Sequence, residues 1–169
     1  MEPELSVPLD VEDVPPLATV DVPRVAIREL RLADQAFVYG TWLQGHYEKS
    51  LWAKGMEWEA YKNYHHAVVE RLLYQGAART LVACAPEEPD QIFGYCTYNW
   101  SNTVWPPVLH YLFVKGPLRR FGIANKLMEE AGFSKTKSFA FTQLNNSDLI
   151  HQMRKKWPLG KYVPYLLFP

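Results

Sequence analysis

The chain of 169 residues carries 18 lysines and arginines against 18 aspartates and glutamates, and 48% of its residues are hydrophobic. This length and apolar content suit one domain with one large core, while the balanced charge excludes the strong basic field of most nucleic-acid binders, so a nucleic-acid partner is not favoured. No apolar run is long enough to span a bilayer and no secretory signal opens the chain, so we expect a cytoplasmic protein without a membrane partner.

The N-terminal stretch differs from the rest in composition. It combines prolines and acidic residues with scattered Val and Leu, and no helical or strand period is sustained. We predict that residues 1–23 form an arm outside the fold and that residues 24–169 form the single domain. The Val and Leu residues leave open whether the arm is loose or lies across a neighbouring surface.

A strand and two helices are predicted next. The alternating residues 24–32 predict the strand, and Asp34 stands where a first helix would begin. A second helix is predicted from about residue 57 to residue 75, because Gly76 is a typical helix end. Within it, His65 and His66 point about 100 degrees apart and are poorly placed to chelate one ion. We therefore predict no metal site, with one histidine packed and the other exposed.

Two strands, residues 79–85 and 91–100, are predicted to form a hairpin around a polar turn bounded by prolines. Each strand contains one cysteine, Cys84 and Cys96. A disulfide between them is one alternative, but two reduced and buried thiols are more typical of a chain without a secretory signal.

A strand that turns directly into a helix is the centre of the chain. The apolar run Val108–Val114 predicts a buried strand, and Ile123, Leu127 and Met128 then recur at helical spacing. A strand at residues 138–144, a helix at residues 149–157 and a last strand at residues 161–168 are predicted to follow. Asn145 or Asn146 is predicted to cap that later helix.

The turn of the central unit is positively charged and rich in glycine. It contains Gly116, Pro117, Arg119, Arg120 and Gly122, immediately before the unpaired N–H groups of a helix start. Glycine allows close approach to the backbone, so the turn is predicted to cradle an anion such as phosphate. The alternative is an ordinary turn whose arginines are solvated.

At these residues the sequence resembles the GCN5-related N-acetyltransferase superfamily. That family has Arg/Gln-x-x-Gly-x-Gly/Ala between its fourth strand and the following helix, and this chain has Arg119, Gly122 and Ala124 in those places. Ile27-Arg28 in the first strand and Ile92-Phe93-Gly94 in the third also resemble the family. The resemblance implies an α/β domain with a central mixed, mostly antiparallel sheet and helices on both faces.

The resemblance further implies acetyl-coenzyme A as cosubstrate. In the family the loop binds the pyrophosphate, the strand before it pairs with the pantetheine arm, and an asparagine after the fifth strand bonds the cofactor. The implied cofactor-binding residues are Phe113, Val114, Arg119, Arg120, Phe121, Gly122, Ile123, Ala124, Asn125 and Asn145.

Acetyl transfer from a thioester to an amine also needs a base for the amine proton and an acid for the leaving thiolate. His110 lies four residues before Val114 and is either that base or a hydrogen-bonded core histidine. Where the family has its acidic tyrosine, this chain has Gln152 or Met153. The thiolate would then take its proton from water or from another residue, and Tyr162 is our candidate; His151 is the alternative.

The predicted function is therefore transfer of an acetyl group to a primary amine by direct attack, because no nucleophilic cysteine with a histidine partner is recognisable. The acceptor would be an amine-bearing small molecule or a protein. Two alternatives stay open: a non-catalytic acyl-coenzyme A-binding or protein-interaction module, and an enzyme acting on a nucleic-acid amine.

The oligomeric state, monomer or homodimer, is not determined by the sequence. Aromatic residues expected around the acceptor groove, or in the core, are Trp42, Tyr47, Trp52, Trp58, Tyr98, Trp100 and Trp105.

Overall fold

The computed structural model describes residues 22–50, 53–75, 78–100, 106–143, 151 and 154–167. The predicted arm lies almost entirely outside this part of the chain, so its boundary stays a prediction. None of the helices described is both long and apolar enough to cross a membrane.

A six-stranded mixed sheet forms the centre of the molecule, with its strands in sequence order. The strands are β1 Ala26–Glu29, β2 Arg79–Cys84, β3 Ile92–Asn99, β4 Val108–Val114, β5 Phe139–Phe141 and β6 Gly160–Tyr162. Neighbours from β1 to β4 are antiparallel, whereas β5 is parallel to both β4 and β6. The predicted mixed, mostly antiparallel sheet is confirmed.

Within the described residues, three longer helices cover the two faces of the sheet, and the prediction of helices on both faces is confirmed. They are α1 Gln35–Lys49, α2 Trp58–Tyr74 and α3 Ile123–Glu130. One core joins α1 and α2 to the sheet and includes Val38, Trp42, Tyr61, Val69, Val82, Tyr95 and Tyr111. The other joins α3 to the opposite face and includes Leu81, Cys96, Leu109, Leu127, Met128, Phe139 and Phe141. Because both faces are covered, β2 and β3 are buried along nearly their whole length.

The C-terminal predictions were only partly right. The last strand was predicted over residues 161–168, but β6 ends at Tyr162 and a 3-10 helix follows at Pro164–Leu167. Pro164 has no N–H to continue a strand ladder, which explains the early end. The predicted caps Asn145 and Asn146, and most of the helix they would begin, lie outside the described residues.

The first helix begins at Gln35, directly after Asp34, where the sequence predicted its start. Asp34 stands before α1, but its carboxylate does not cap that helix. It accepts two hydrogen bonds from Arg28 of β1, at 2.5 and 3.0 Å, and one from the N–H of Arg31 at 2.7 Å. Asp34 therefore ties β1 to the turn that leads into α1.

The two cysteines are free and buried, as predicted. In the register of β2 and β3, Cys96 lies opposite Leu81 and Cys84 opposite Ile92, so the cysteines do not face each other. Burial raises the pKa of the Cys96 thiol, which keeps it protonated and unreactive.

Gly94 allows β3 and β4 to approach closely. It lies opposite Val114, and a Cβ at this position would collide with the main-chain oxygen of Phe113 and lie 3.2 Å from the Cα of Val114. We expect Gly94→Ala to lower the free energy of unfolding by about 1–3 kcal/mol, because backbone must move to make room. Urea unfolding measures the loss.

The matched control for this prediction is Gly40→Ala in α1. Gly40 is exposed, and a Cβ there meets nothing within 4 Å. Alanine in a helix interior is expected to raise stability by about 0.5–1 kcal/mol. Equal unfolding midpoints for the two variants would show that Gly94 has no packing role.

Candidate active site

Among the described residues, β4 and β5 pair only at the start of β4, and we call the edge of β4 beyond Leu109 that faces away from β3 the cleft. The two strands pair only at Val108 with Ala140 and Leu109 with Phe141, and the N–H of Thr142 then donates to the oxygen of Leu109 at 3.0 Å. Strand β5 ends there, whereas β4 continues to Val114. The last five residues of β4 therefore have no β5 residue beside them.

A bulge at His110 accompanies this separation. On β3, Tyr98 lies opposite Leu109 and Thr97 lies opposite Tyr111, so His110 is the extra residue of β4. A bulge bends a strand and increases its local twist, which turns the end of β4 away from β5. The cleft thus begins where the bulge lies.

The main-chain groups of two β4 residues face this cleft. The N–H of Lys115 donates to the oxygen of Phe93 at 2.9 Å, which identifies their pair as a hydrogen-bonded one. Such pairs alternate along an antiparallel ladder, so Tyr111 and Phe113 also bond to β3. Leu112 and Val114 consequently direct their N–H and C=O groups to the other side, into the cleft.

The glycine-rich turn lies at the same end of β4. Its residues leave β4 through a short 3-10 helix, Gly116–Leu118, and enter α3 at Gly122. Gly122 has φ +80°, and a Cβ there would meet nothing within 4 Å, so the space in front of this helix start is open. Arg120, beside it, has φ +74°. A left-handed conformation at a residue other than glycine costs about 1–2 kcal/mol and is uncommon.

An anion can approach this turn closely. The N–H groups of the first turn of α3 lack partners within the helix, and the helix dipole adds partial positive charge. The side chains of Arg119 and Arg120 are exposed beside them. The residues therefore fit a diphosphate.

The structure brings most of the predicted cofactor residues together at one end of β4. The main chain of Val114 faces the cleft, whereas Phe113 bonds to β3 and packs its ring on Phe37 and Tyr95; residues 119–122 form the turn, and residues 123–125 begin α3. The side-chain oxygen of Asn125 accepts a hydrogen bond from Nε1 of Trp157 at 3.4 Å, so its amide also holds the C-terminal part against α3. Asn145 lies outside the described residues. Cofactor binding by this set stays a prediction.

His110, the predicted base, is 1% exposed and lies at the β4 bulge, one residue beyond the last pair with β5. Its Nδ1 is 3.2 Å from the hydroxyl of Thr142, and Nε2 has no hydrogen-bond partner among the described residues. Burial lowers the pKa of His110 to about 4. The imidazole is therefore neutral at pH 7 and able to accept a proton.

Tyr162, the candidate acid, is not near His110. It lies in β6, with β5 between it and β4, and its ring packs against Phe141 of the α3-side core. Thr142, the partner of His110, follows Phe141 and by strand alternation faces α1 and α2 instead. The two predicted catalytic residues are therefore on opposite faces of the sheet.

A group of polar side chains behind the cleft was missed by the sequence analysis. Trp42 of α1 stacks on Tyr111 of β4 at 4.7 Å and donates from Nε1 to the side-chain oxygen of Gln143 at 3.2 Å. It therefore links both sides of the cleft. His65 of α2 lies 3.5 Å from the amide nitrogen of Gln143. Nothing local marks Gln143, because its partners are distant in sequence.

The histidines near this group are buried and neutral. His65 stacks on His46 with ring centroids 4.6 Å apart, and burial lowers the pKa of His46 to about 4 and of His65 to about 3. His66 is exposed and approaches Glu70 at 3.3 Å, so one histidine of the predicted pair is packed and the other exposed, as expected. Within the described ranges, no cluster of three or more His, Cys, Asp or Glu residues could hold a metal.

The aromatic residues predicted around the groove divide into three groups. Trp42 is buried at the cleft, and Tyr98 is buried in the α3-side core. Trp58 and Trp100 are exposed, and Tyr47 is half-buried among α1 and α2 side chains. Trp52 and Trp105 lie outside the described residues. Trp42 is therefore the one residue of the described set that borders the cleft directly.

A solved structure described as an acetyl transferase has this fold. A protein of Pyrococcus furiosus described as an acetyl transferase aligns with 79% of this chain and 91% of its own, at 15% identity and a TM-score of 0.56. The aminoglycoside 6'-N-acetyltransferase AAC(6')-Ih of Acinetobacter baumannii aligns with 79% of this chain and 89% of its own, at 18% identity and a TM-score of 0.49. No protein-family model matches the sequence, and no curated protein matches it.

The chain has the fold of the GCN5-related N-acetyltransferases, as the sequence resemblance implied. The structural similarity establishes the fold. Because the sequence identity is low, the reaction and the acceptor must be argued from the site itself.

Proposed function

We propose that the protein is an acetyl-coenzyme A-dependent N-acetyltransferase that moves the acetyl group to a primary amine by direct attack. One observation carries the proposal: the edge of β4 at Leu112 and Val114, which has no described β5 partner, lies at the same end of the strand as the open turn at Gly122. A ligand with a long amide-containing arm and a diphosphate matches both parts at once. The fold shared with acetyltransferases supports the same conclusion.

The main chain would carry most of the binding. The N–H groups at the start of α3 and the two arginines would hold the diphosphate, and the edge of β4 would pair with the amide-containing arm. The N–H of Val114 faces the cleft and would stabilise the oxyanion that develops on the thioester carbonyl. Stabilising the oxyanion needs no side chain, because the position of the Val114 N–H in β4 is sufficient for it.

His110 is the proposed base and would take the amine proton through water. Its buried, neutral imidazole suits proton acceptance at pH 7, although a pKa of about 4 makes it a weak base. Rate should therefore not fall at pH 6 through protonation of His110. If the rate does fall near pH 6, we expect the cause to be protonation of the acceptor amine.

We expect His110→Asn to lower kcat about 100-fold without changing the Kd for acetyl-coenzyme A, because asparagine keeps a polar group toward Thr142 but cannot act as a base. Release of free thiol across a panel of amines measures kcat, and calorimetry measures the Kd. His66→Ala, at the exposed histidine of α2, is the control and should change neither quantity. An unchanged kcat in a folded His110→Asn protein would identify His110 as a core residue only.

A non-catalytic acyl-coenzyme A-binding module is the second candidate. The burial of His110 and the placement of Tyr162 on the opposite face favour it, because neither predicted catalytic side chain is then well placed to exchange a proton beside Val114. Binding of acetyl-coenzyme A without thiol release for any amine would support this candidate over the enzyme.

A further inference from the structure

The chain leaves the regular geometry of β5 at Gln143. Along a strand, successive side chains point to opposite faces of the sheet. Phe141 packs in the α3-side core, so Thr142 faces α1 and α2, and Gln143 would face α3 again if β5 continued regularly. The Gln143 amide instead bonds to Trp42 of α1 and approaches His65 of α2. The alternation therefore breaks between Thr142 and Gln143.

Two contacts fix the orientation of the Gln143 amide. The indole N–H of Trp42 can only donate, so the side-chain oxygen of Gln143 faces it, at 3.2 Å, and the amide nitrogen faces Nε2 of His65, at 3.5 Å. Burial keeps the His65 ring neutral, so Nε2 can accept. Trp42 is 0% exposed and stacks on Tyr111 of β4. We call Trp42, His65 and Gln143 the β5 anchor.

The β5 anchor lies where the two strands separate. Among the described residues, the last main-chain hydrogen bond between them runs from the N–H of Thr142 to the oxygen of Leu109, at 3.0 Å. In a regular parallel ladder the next bond would run from the N–H of Leu112, past the bulge, to the oxygen of Thr142. That oxygen belongs to the peptide unit that joins Thr142 to Gln143. The rotation that brings Gln143 to α1 and α2 therefore also moves the oxygen out of the ladder.

We infer that Gln143 is a positioning residue, which holds the end of β5 away from β4 through Trp42 and His65 and keeps the main chain of Leu112 free for a ligand. The inference rests on the proposed function, in which that ligand is the amide-containing arm of the donor. Gln143 touches no reacting atom in this role. The bulge bends β4 on one side of the separation, and the β5 anchor holds the chain on the other side.

Amide hydrogen exchange of the ligand-free protein tests the positioning role. Gln143→Leu keeps a side chain of similar size but removes both contacts to the helices. We expect the N–H of Leu112 to pair with the oxygen of Thr142 in this variant and to exchange about tenfold more slowly, as for one hydrogen bond gained. The N–H of Tyr111 bonds to β3 in both proteins and is the internal reference. A merely structural role would speed exchange along β4 and would not slow it at Leu112.

Calorimetry with acetyl-coenzyme A measures the consequence for binding. We expect Gln143→Leu and Trp42→Phe each to raise the Kd about tenfold, and the double variant to raise it no further, because both changes release the same β5 anchor. Phenylalanine keeps a ring on Tyr111 and loses the indole N–H. Trp100→Phe is the matched control, since it removes an indole N–H that donates to the oxygen of Ala131 at 2.8 Å beside the α3-side core. It should leave the Kd unchanged.

Slower exchange at Leu112 together with weaker binding in both single variants supports the inference. Unchanged or faster exchange at Leu112 in folded Gln143→Leu overturns it, and so do an unchanged Kd, additive losses in the double variant, or an equal loss in Trp100→Phe. If thermal unfolding shows that Gln143→Leu is not folded, the same exchange measurement on Trp42→Phe decides. Failure of the wild-type protein to bind acetyl-coenzyme A overturns the proposed function, whereas the exchange at Leu112 needs no ligand and still tests the inference.

Discussion

Gly122→Asp is expected to weaken acetyl-coenzyme A binding at least about 100-fold, because it places a carboxylate where the diphosphate would lie. Two like charges about 4 Å apart repel by several kcal/mol near a protein surface, which is more than this loss requires. The φ of +80° at Gly122 is one that Asp and Asn tolerate better than other side chains, and the surrounding space is open. The protein should therefore remain folded.

Two controls isolate the charge. Gly122→Asn has the same shape and backbone requirement without the charge, and we expect it to weaken binding only a few-fold. Gly40→Asp adds the same charge at an exposed position of α1 and should leave binding unchanged. Calorimetry measures all three, with thermal unfolding as the test of folding. Equal losses for the Asp and Asn variants at Gly122 would show that the turn does not hold an anion.

Asp34→Ala is expected to lower the free energy of unfolding by about 3 kcal/mol at pH 7, because it leaves a largely buried guanidinium without its carboxylate. The side chains of Asp34 and Arg28 are only 4% and 15% exposed. Arg28 also donates to the oxygen of Pro89 at 2.7 Å, so it connects β1 to the turn between β2 and β3. Asp90→Ala, at an 88% exposed carboxylate 3.6 Å from Arg31, is the control and should change stability by less than about 0.5 kcal/mol.

The effect of Asp34 should depend on pH in a defined direction. Burial by itself raises the pKa of Asp34, but hydrogen bonds from Arg28 and Arg31 and the charge of Arg28 lower it below its ordinary value. The stabilisation is therefore complete above the unfolded pKa of about 3.9 and is lost as the pH falls through the lower folded pKa. Urea unfolding should show a smaller difference between wild type and Asp34→Ala at pH 2 than at pH 7. An equal difference at both values would exclude the ion pair as its source.

The sheet and the loop could be predicted because their signals are local. The apolar run Val108–Val114 ends at a glycine, and the helical spacing from Ile123 begins after another, so strand, turn and helix follow from neighbouring residues. Gly94, which matches the family's third-strand glycine, packs closely against β4. The predicted end of the last strand was wrong because Pro164 interrupts the strand that residues 161–163 begin.

The floor of the cleft could not be predicted in the same way. The bulge at His110 exists only in the pairing of β4 with β3, and no glycine or turn residue marks it in the sequence. Trp42 meets Gln143 across 101 positions of the chain. Asp34 precedes a helix, as predicted, but the sequence does not show that its carboxylate binds Arg28 of β1. Each of these contacts is decided by tertiary packing.

Backbone amide shifts during titration with coenzyme A, measured by NMR on the ¹⁵N-labelled protein, test the account most directly. We expect the largest changes in two stretches, at Gly122 to Asn125 and at Leu112 and Val114 of β4, because these N–H groups would meet the diphosphate and the amide-containing arm. Saturation without changes in either stretch, or changes concentrated at the groove between β1 and α3 near Val25 and Glu130, would contradict it.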